Sequence, residues 1–197
     1  MDRSNPFSSE LLDFTTNTVT PGPNLTYIVC KHKMLRRPSD GLIFIAGGKQ
    51  KISEGNIKED LLMSYDFTTD TWNMTYTPMS IGRISQGFAM TSDETKLIVA
   101  GGKAKAVGNP RYSETDSVEI YTMASDSWTQ GMALPVINSF ASLAVGDSLI
   151  ALTAEENTVY EYDMMEDSWA PKVNIFSSAV KFDSDIILLG ETYPYCG

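Results

Sequence analysis

Metal or thiol chemistry in these 197 residues would have to be built from one histidine and two cysteines. His32 has no second imidazole for a proton relay and no second histidine to share a metal, so a multi-histidine zinc or copper centre is excluded by count. Cys30 and Cys196 stand far apart with no metal-ligand spacing, and free thiols in a reducing compartment are the expectation. Lys49 and Lys103 each follow a glycine pair. Gly-Gly-Lys nevertheless lacks the leading glycine and the following helix of a phosphate-binding loop. Asp and Glu number 25, but no pair has a spacing that marks a glycosidase, and most stand where tight turns use a carboxylate as a cap. The residues therefore predict no catalytic site, no cofactor and no metal; the chain is read as not an enzyme.

The formal net charge of −10 argues against nucleic acid, because binding phosphates depends on Lys and Arg releasing counterions. No segment approaches the roughly 18 consecutive apolar residues that span a bilayer. Met1-Asp2-Arg3-Ser4-Asn5-Pro6 leads into Phe7-Ser8-Ser9-Glu10 rather than an apolar signal core. The expectation is a cytoplasmic protein with neither nucleic acid nor membrane as partner. Its 42% apolar content is ordinary for a folded domain, so function is left to surfaces that the fold must position.

The elements that could position such surfaces recur along the chain. Leu42-Ile43-Phe44-Ile45-Ala46 ends at Gly47-Gly48, and is followed by Leu61-Leu62-Met63-Ser64-Tyr65-Asp66 and then Trp72. A run of branched and aromatic residues bounded by glycines reads as a buried strand. The unit returns as Leu97-Ile98-Val99-Ala100-Gly101-Gly102, Val118-Glu119-Ile120-Tyr121 and Trp128. A third copy, Leu149-Ile150-Ala151-Leu152, is followed by Val159-Tyr160-Glu161-Tyr162-Asp163 and Trp169. At the front, Asp13-Phe14-Thr15-Thr16-Asn17-Thr18-Val19 matches Asp66-Phe67-Thr68-Thr69-Asp70-Thr71-Trp72. Val19, Trp72, Trp128 and Trp169 are spaced about 50 residues apart on average.

A diglycine, a Tyr-Asp and a spaced Trp at that period resemble the kelch family of β-propellers, and the resemblance covers about Glu10 to Gly190. Two copies keep both glycines, two keep Tyr-Asp and three keep Trp. Thr153-Ala154 replaces the third glycine pair, and Tyr121 is followed by Thr122. The resemblance implies an all-β kelch-type β-propeller of about four blade-equivalents: a front half-blade, three whole blades and a closing half-blade. It would be either a closed four-bladed ring or a piece of a larger propeller, six blades being usual for the family. Residues 1–9 are expected to be frayed, 10–190 to form the propeller and 191–197 to form a tail. Gly47, Gly48, Gly101 and Gly102 would be the repeat's turns. Tyr65, Tyr121, Tyr162, Trp72, Trp128 and Trp169 would form the core between blades.

Strand alternation sends the a–b and c–d turns of each blade to one side and the b–c loops and d–a connections to the other. The first side is acidic. The second holds two long b–c loops, Lys49 to Asp60 and Lys103 to Asp116, and long loops on a rigid scaffold mark a recognition surface. What the family implies is a module that binds another protein, in the kelch-like subfamily as the substrate-binding part of a ubiquitin-ligase adaptor. Pro78-Met79-Ser80-Ile81-Gly82-Arg83 looks like a d–a connection whose arginine faces the partner. On that resemblance Arg83, Lys103, Arg111 and Tyr112, with Lys49 and Asn138, are expected to bind an acidic peptide by charge-assisted hydrogen bonds. The family also contains actin-binding scaffolds and carbohydrate-processing enzymes, which stand as alternative readings. Its copper radical oxidases need histidine ligands that this chain lacks, whatever Tyr195-Cys196 suggests.

Overall fold

The computed structural model describes residues 10–22, 28–51, 57–105, 109–137, 142–145, 149–153 and 158–174. The expected strands at 176–182 and 186–189, the tail and the frayed start lie outside the described residues, as does Asn138. Twenty strands follow in order: β1 Glu10–Asp13, β2 Thr18–Pro21, β3 Ile28–Cys30, β4 Lys33–Arg36, β5 Ile43–Ala46, β6 Lys49–Lys51, β7 Ile57–Lys58, β8 Leu62–Asp66, β9 Thr71–Asn73, β10 Arg83–Ile84. They continue as β11 Gly87–Met90, β12 Lys96–Ala100, β13 Lys103–Lys105, β14 Tyr112–Glu114, β15 Val118–Thr122, β16 Ser127–Gly131, β17 Ser142–Val145, β18 Leu149–Thr153, β19 Thr158–Asp163 and β20 Ser168–Asn174. Three four-stranded antiparallel sheets, β4-β5-β8-β9, β11-β12-β15-β16 and β17-β18-β19-β20, are the three expected whole blades, and β1-β2 is the front half-blade.

Why the inner strands are apolar on both faces is visible in the second blade. Leu97 and Val99 pack with Phe44, Ala46, Leu62, Phe88, Met90 and Tyr121 toward the first blade. Ile98 and Ala100 point the other way and pack with Ala89, Val118, Ile120, Leu134 and Tyr162 toward the third. Successive side chains of a strand alternate between faces, so a strand with a blade on each side has no polar face.

Each blade carries the same aromatic device. Tyr65 pairs in register with Trp72, Tyr121 with Trp128 and Tyr162 with Trp169, with ring centroids 4.8, 5.1 and 4.8 Å apart. In β1-β2 the same register holds Leu12 opposite Val19. The tyrosine hydroxyl donates to an aspartate five residues on: Tyr65 to Asp70 at 2.6 Å, Tyr121 to Asp126 at 2.6 Å, and Tyr162 to Asp167. Those aspartates turn the c–d corner in the left-handed region, with φ of 54°, 46° and 46°, a conformation that Asp tolerates better than most residues.

The device also fastens blade to blade. Trp128 Nε1 donates to the Thr77 carbonyl at 2.8 Å, and Asp126 accepts from the Thr77 amide at 2.9 Å. One junction later, Trp169 Nε1 donates to the Met132 carbonyl at 3.0 Å and Asp167 accepts from the Met132 amide at 2.6 Å. The c–d corners of the second and third blades therefore grip the connection that leaves the preceding blade.

Two features differ from the sequence expectation. Cys30 is disulfide-bonded rather than a free thiol. The b–c segments are not simple loops either. Residues expected as one strand a, Thr26 to Met34, break at Lys31 (φ 57°) into β3 and β4, and Ser85 (φ 55°) breaks β10 from β11 in the same way. Beyond each break the chain pairs again, making two three-stranded sheets, β3-β6-β7 and β10-β13-β14.

The glycine pairs make that step possible. Gly47, Gly48, Gly101 and Gly102 have φ of 59°, 80°, 62° and 84°. A Cβ on Gly48 would lie 2.7 Å from the Cys30 carbonyl oxygen and from His32 Cα, and one on Gly102 2.6 Å from the Ile84 carbonyl oxygen. Gly48→Ala and Gly102→Ala are predicted to combine a left-handed penalty with a backbone clash, costing about 2–5 kcal/mol, or roughly 5–15 °C of thermal midpoint. An unchanged midpoint would remove the glycines from this role.

The tyrosine–aspartate corners give a pH signature. Burial, then the bond to Asp70, pushes the Tyr65 phenol up to about 12; Tyr121 and Tyr162 are raised for the same reasons. Asp126 and Asp167 are held below the usual carboxylate value, first by the tyrosine hydroxyl and then by a backbone amide. A raised tyrosine contributes stability that is complete below its unfolded value near 10 and lost as pH climbs through the folded value. A depressed aspartate contributes stability that is present above about 3.8 and lost as pH falls through its folded value. The thermal midpoint should be flat between about pH 5 and 9 and fall on both sides. Tyr65→Phe should soften the alkaline fall and leave the acid one, which midpoints measured across pH will check.

Candidate functional site

The two extra sheets stand beside each other on the b–c side of the first and second blades, and a polar cluster ties them together. β13 reads Lys103-Ala104-Lys105, and its register puts Lys105 opposite Tyr112 on β14. Lys105 Nζ lies 4.4 Å from the Tyr112 ring centroid, and Lys49 Nζ, from β6 of the neighbouring sheet, lies 5.4 Å from the same centroid. Two ammonium groups thus face one aromatic ring, within the range where its quadrupole attracts cations.

Glu59, between β7 and β8, completes the cluster from the first blade. Its Oε1 accepts from Lys105 Nζ at 2.9 Å and from the Tyr112 hydroxyl. The glutamate side chain is 11% exposed and the lysine 34%. Burial, then the bond to Glu59, pushes the Tyr112 phenol up to about 12, and the bond to Glu59 raises Lys105 as well. Tyr112 therefore stays a neutral donor and Lys105 a cation over the physiological range.

Of the residues expected to bind a partner, Lys49 and Tyr112 come together here. Lys103 sits half-buried on β13 with Ile84 on one side and Glu114 on the other. Arg111 is exposed beside Tyr112, its backbone amide held at 2.9 Å by Asn109 Oδ1. The sequence reading did not single out Glu59 or Lys105. Lys-Ala-Lys facing Tyr-Ser-Glu is a readable two-strand alternation; the contribution of Glu59 from another blade has no local signal.

Arg83 is a correction. It does not face a partner: its side chain is fully buried. Its NH2 group donates to Glu119 Oε2 at 2.7 Å, its NH1 group to the Ser117 carbonyl at 2.8 Å and the Gly101 carbonyl at 3.3 Å, and its Nε to the Ile81 carbonyl at 3.3 Å. Glu119 accepts in turn from the amides of Ser80 at 2.8 Å and Ile81 at 3.3 Å, and from the Ser80 hydroxyl. Burial pulls the guanidinium down and Glu119 pushes it back up; an arginine keeps its charge under such opposition. The pair pins the d–a connection onto β15.

Among the described residues, no group of three or more His, Cys, Asp or Glu is placed to hold a metal ion, and no helix is long and apolar enough to cross a membrane. The arrangement offers cations, an aromatic face and hydrogen-bond donors. Such groups recognise anionic side chains.

No protein-family model matches the sequence. Among curated proteins, the kelch repeat and BTB domain-containing protein 1 of Horsepox virus is 34% identical over 98 residues, 49% of this chain and 16% of that protein. The Cowpox virus protein of the same name and the kelch repeat and BTB domain-containing protein A55 of Vaccinia virus match to the same extent. The chain thus spans about a sixth of the length of these relatives. Among solved structures, the chain resembles YjhT with a TM-score of 0.65 and 14% identity, over 87% of this chain and 60% of that one. The fold is an all-β, kelch-type β-propeller, with a half-blade and three whole blades among the described residues.

Removing Arg83 should leave a buried carboxylate unpaired. Arg83→Ala is predicted to cost about 3–5 kcal/mol, with most of the loss recovered in the Arg83→Met/Glu119→Gln double variant. Thermal or denaturant unfolding decides this; an unperturbed Arg83→Ala would return the residue to the surface role expected from its sequence context.

Proposed function

We propose that this chain is a non-enzymatic protein-interaction module that binds its partner through the face carrying the b–c hairpins. The observation that carries the reading is the cluster of Lys49, Lys105, Tyr112 and Glu59, which builds an ordered, charged surface on two extra sheets that the blade cores do not require. Sequence likeness to kelch repeat proteins supports an interaction propeller. The partner segment is acidic on this reading, because Lys105 and the Tyr112 hydroxyl already hold one carboxylate, that of Glu59. Relatives whose names join kelch repeats to a BTB domain favour carrying forward the adaptor expectation, in which this face is the substrate-binding part of a ubiquitin-ligase assembly.

Arg111 and Arg36 are exposed arginines on opposite sides, the first on the hairpin face and the second at the end of β4 beside the a–b turn. With the chain as bait, a partner retained by the wild type should be lost with Arg111→Glu and kept with Arg36→Glu. Equal loss in both, or loss only with Arg36→Glu, would move the interaction off this face.

A further inference from the structure

Resting on that reading of the hairpin face, we propose that Glu59 is its positioning residue: the glutamate of the first blade holds the outer end of the β13–β14 hairpin of the second, so that the hairpin meets a partner already in place. The need for such a residue follows from the register. β10 pairs with β13 at Arg83–Ala104 and Ile84–Lys103, whereas β13 and β14 pair through Lys103–Glu114, Ala104–Ser113 and Lys105–Tyr112. The Lys105–Tyr112 pair therefore lies beyond the end of β10, and a two-stranded ribbon is marginal in water by itself.

Glu59 takes over where β10 stops. Its Oε1 accepts from both members of that outer pair, from Lys105 Nζ at 2.9 Å and from the Tyr112 hydroxyl, while Lys105 Nζ lies 4.4 Å from the Tyr112 ring centroid. The three groups interlock, so displacing either strand breaks a bond to the first blade. The anchor itself is fixed. The Glu59 carbonyl accepts from the Arg83 amide at 2.9 Å and the Asp60 carbonyl from the Met79 amide at 2.8 Å, which ties the backbone at Glu59 to the connection between the blades. Gly82 of that connection lies close against it, since a Cβ there would stand 3.1 Å from Glu59 Cβ.

The consequence lies in binding. A recognition surface ordered before contact avoids the entropic cost of being ordered on contact, and the clasp supplies that order without drawing on the blade core. A partly hydrated pair adds little to global stability, but local opening of a hairpin is governed by the few contacts that hold it.

Hydrogen–deuterium exchange of the full chain, resolved amide by amide by NMR, tests this without a partner. Glu59→Ala should speed exchange of the cross-strand amides of β13 and β14 about tenfold, the scale of one hydrogen bond to a charged group, and leave β12 and β15 as in the wild type. Glu59→Gln keeps an acceptor oxygen at the same reach and should restore part of the protection. Glu114→Ala removes a carboxylate from the end of the hairpin that β10 already supports, and should change exchange less than about twofold. In a Lys105→Met/Tyr112→Phe background Glu59→Ala should have no further effect, because residues of one network do not act additively.

Exchange in β13 and β14 that Glu59→Ala leaves unchanged, or raises equally in the Lys105→Met/Tyr112→Phe background, would overturn the proposal. So would a rise shared by β12 and β15, which would make the glutamate a general structural residue, or a Glu59→Gln variant that exchanges as fast as Glu59→Ala. The two readings fail separately. If a partner is lost with Arg111→Glu while Glu59→Ala leaves exchange unchanged, the interaction face stands and the positioning role falls. If Glu59→Ala frees the hairpin while the partner ignores Arg111→Glu, the clasp stands and the interaction face lies elsewhere.

Discussion

Two consecutive left-handed residues at the end of an inner strand are the constraint on which the first and second blades depend. Gly47-Gly48 and Gly101-Gly102 turn the chain at positive φ, where a Cβ on Gly47, Gly48 or Gly102 would strike backbone at 2.6–2.8 Å, and only glycine enters that region without a steric penalty. The turn does two things at once. It ends the blade strand and starts a hairpin on the b–c side, and it brings a backbone amide to the next blade, since Gly48 N–H donates to the Arg83 carbonyl at 2.8 Å. Blade, junction and b–c hairpin share one backbone conformation.

A second dependence follows from the packing. The apolar runs are divided between two junctions, with Leu97 and Val99 on one side and Ile98 and Ala100 on the other. A blade by itself would leave both of those faces in water, so stability is a property of neighbouring pairs, as in other repeat proteins. The corner devices reinforce the same logic: Trp128 and Asp126 hold Thr77, and Trp169 and Asp167 hold Met132. Among the described residues the Trp72 indole N–H has no acceptor.

The molecule uses ion pairs in two ways, and burial separates them. Arg83 and Glu119 are taken wholly out of water, and nearly every donor and acceptor they own is matched inside the protein. Charges in that state are structural, because neither can leave without stranding the other. Lys105 and Glu59 remain partly hydrated, and a pair in that state contributes little to stability. The first pair fixes a connection; the second pair presents a surface.

Local pattern determined the repeat, the strands and the aromatic core, because each is written in neighbouring residues: the alternation within Leu97-Ile98-Val99-Ala100, the glycine pair that follows, and the tyrosine seven residues before its tryptophan. Turn chemistry was legible for the same reason, with Asn17, Asp70, Asp126 and Asp167 at left-handed corners. What the tertiary structure decided is which charges meet. Arg83 looks exposed in Pro78-Met79-Ser80-Ile81-Gly82-Arg83, yet a carboxylate 36 residues later draws it into the interior. Lys105 looks like one of several loop lysines until Glu59, 46 residues earlier, arrives from another blade. Hydrophobic periodicity is a local property and survives in a single sequence, whereas pairing between charges depends on the separation of atoms in space, which only the assembled blades set.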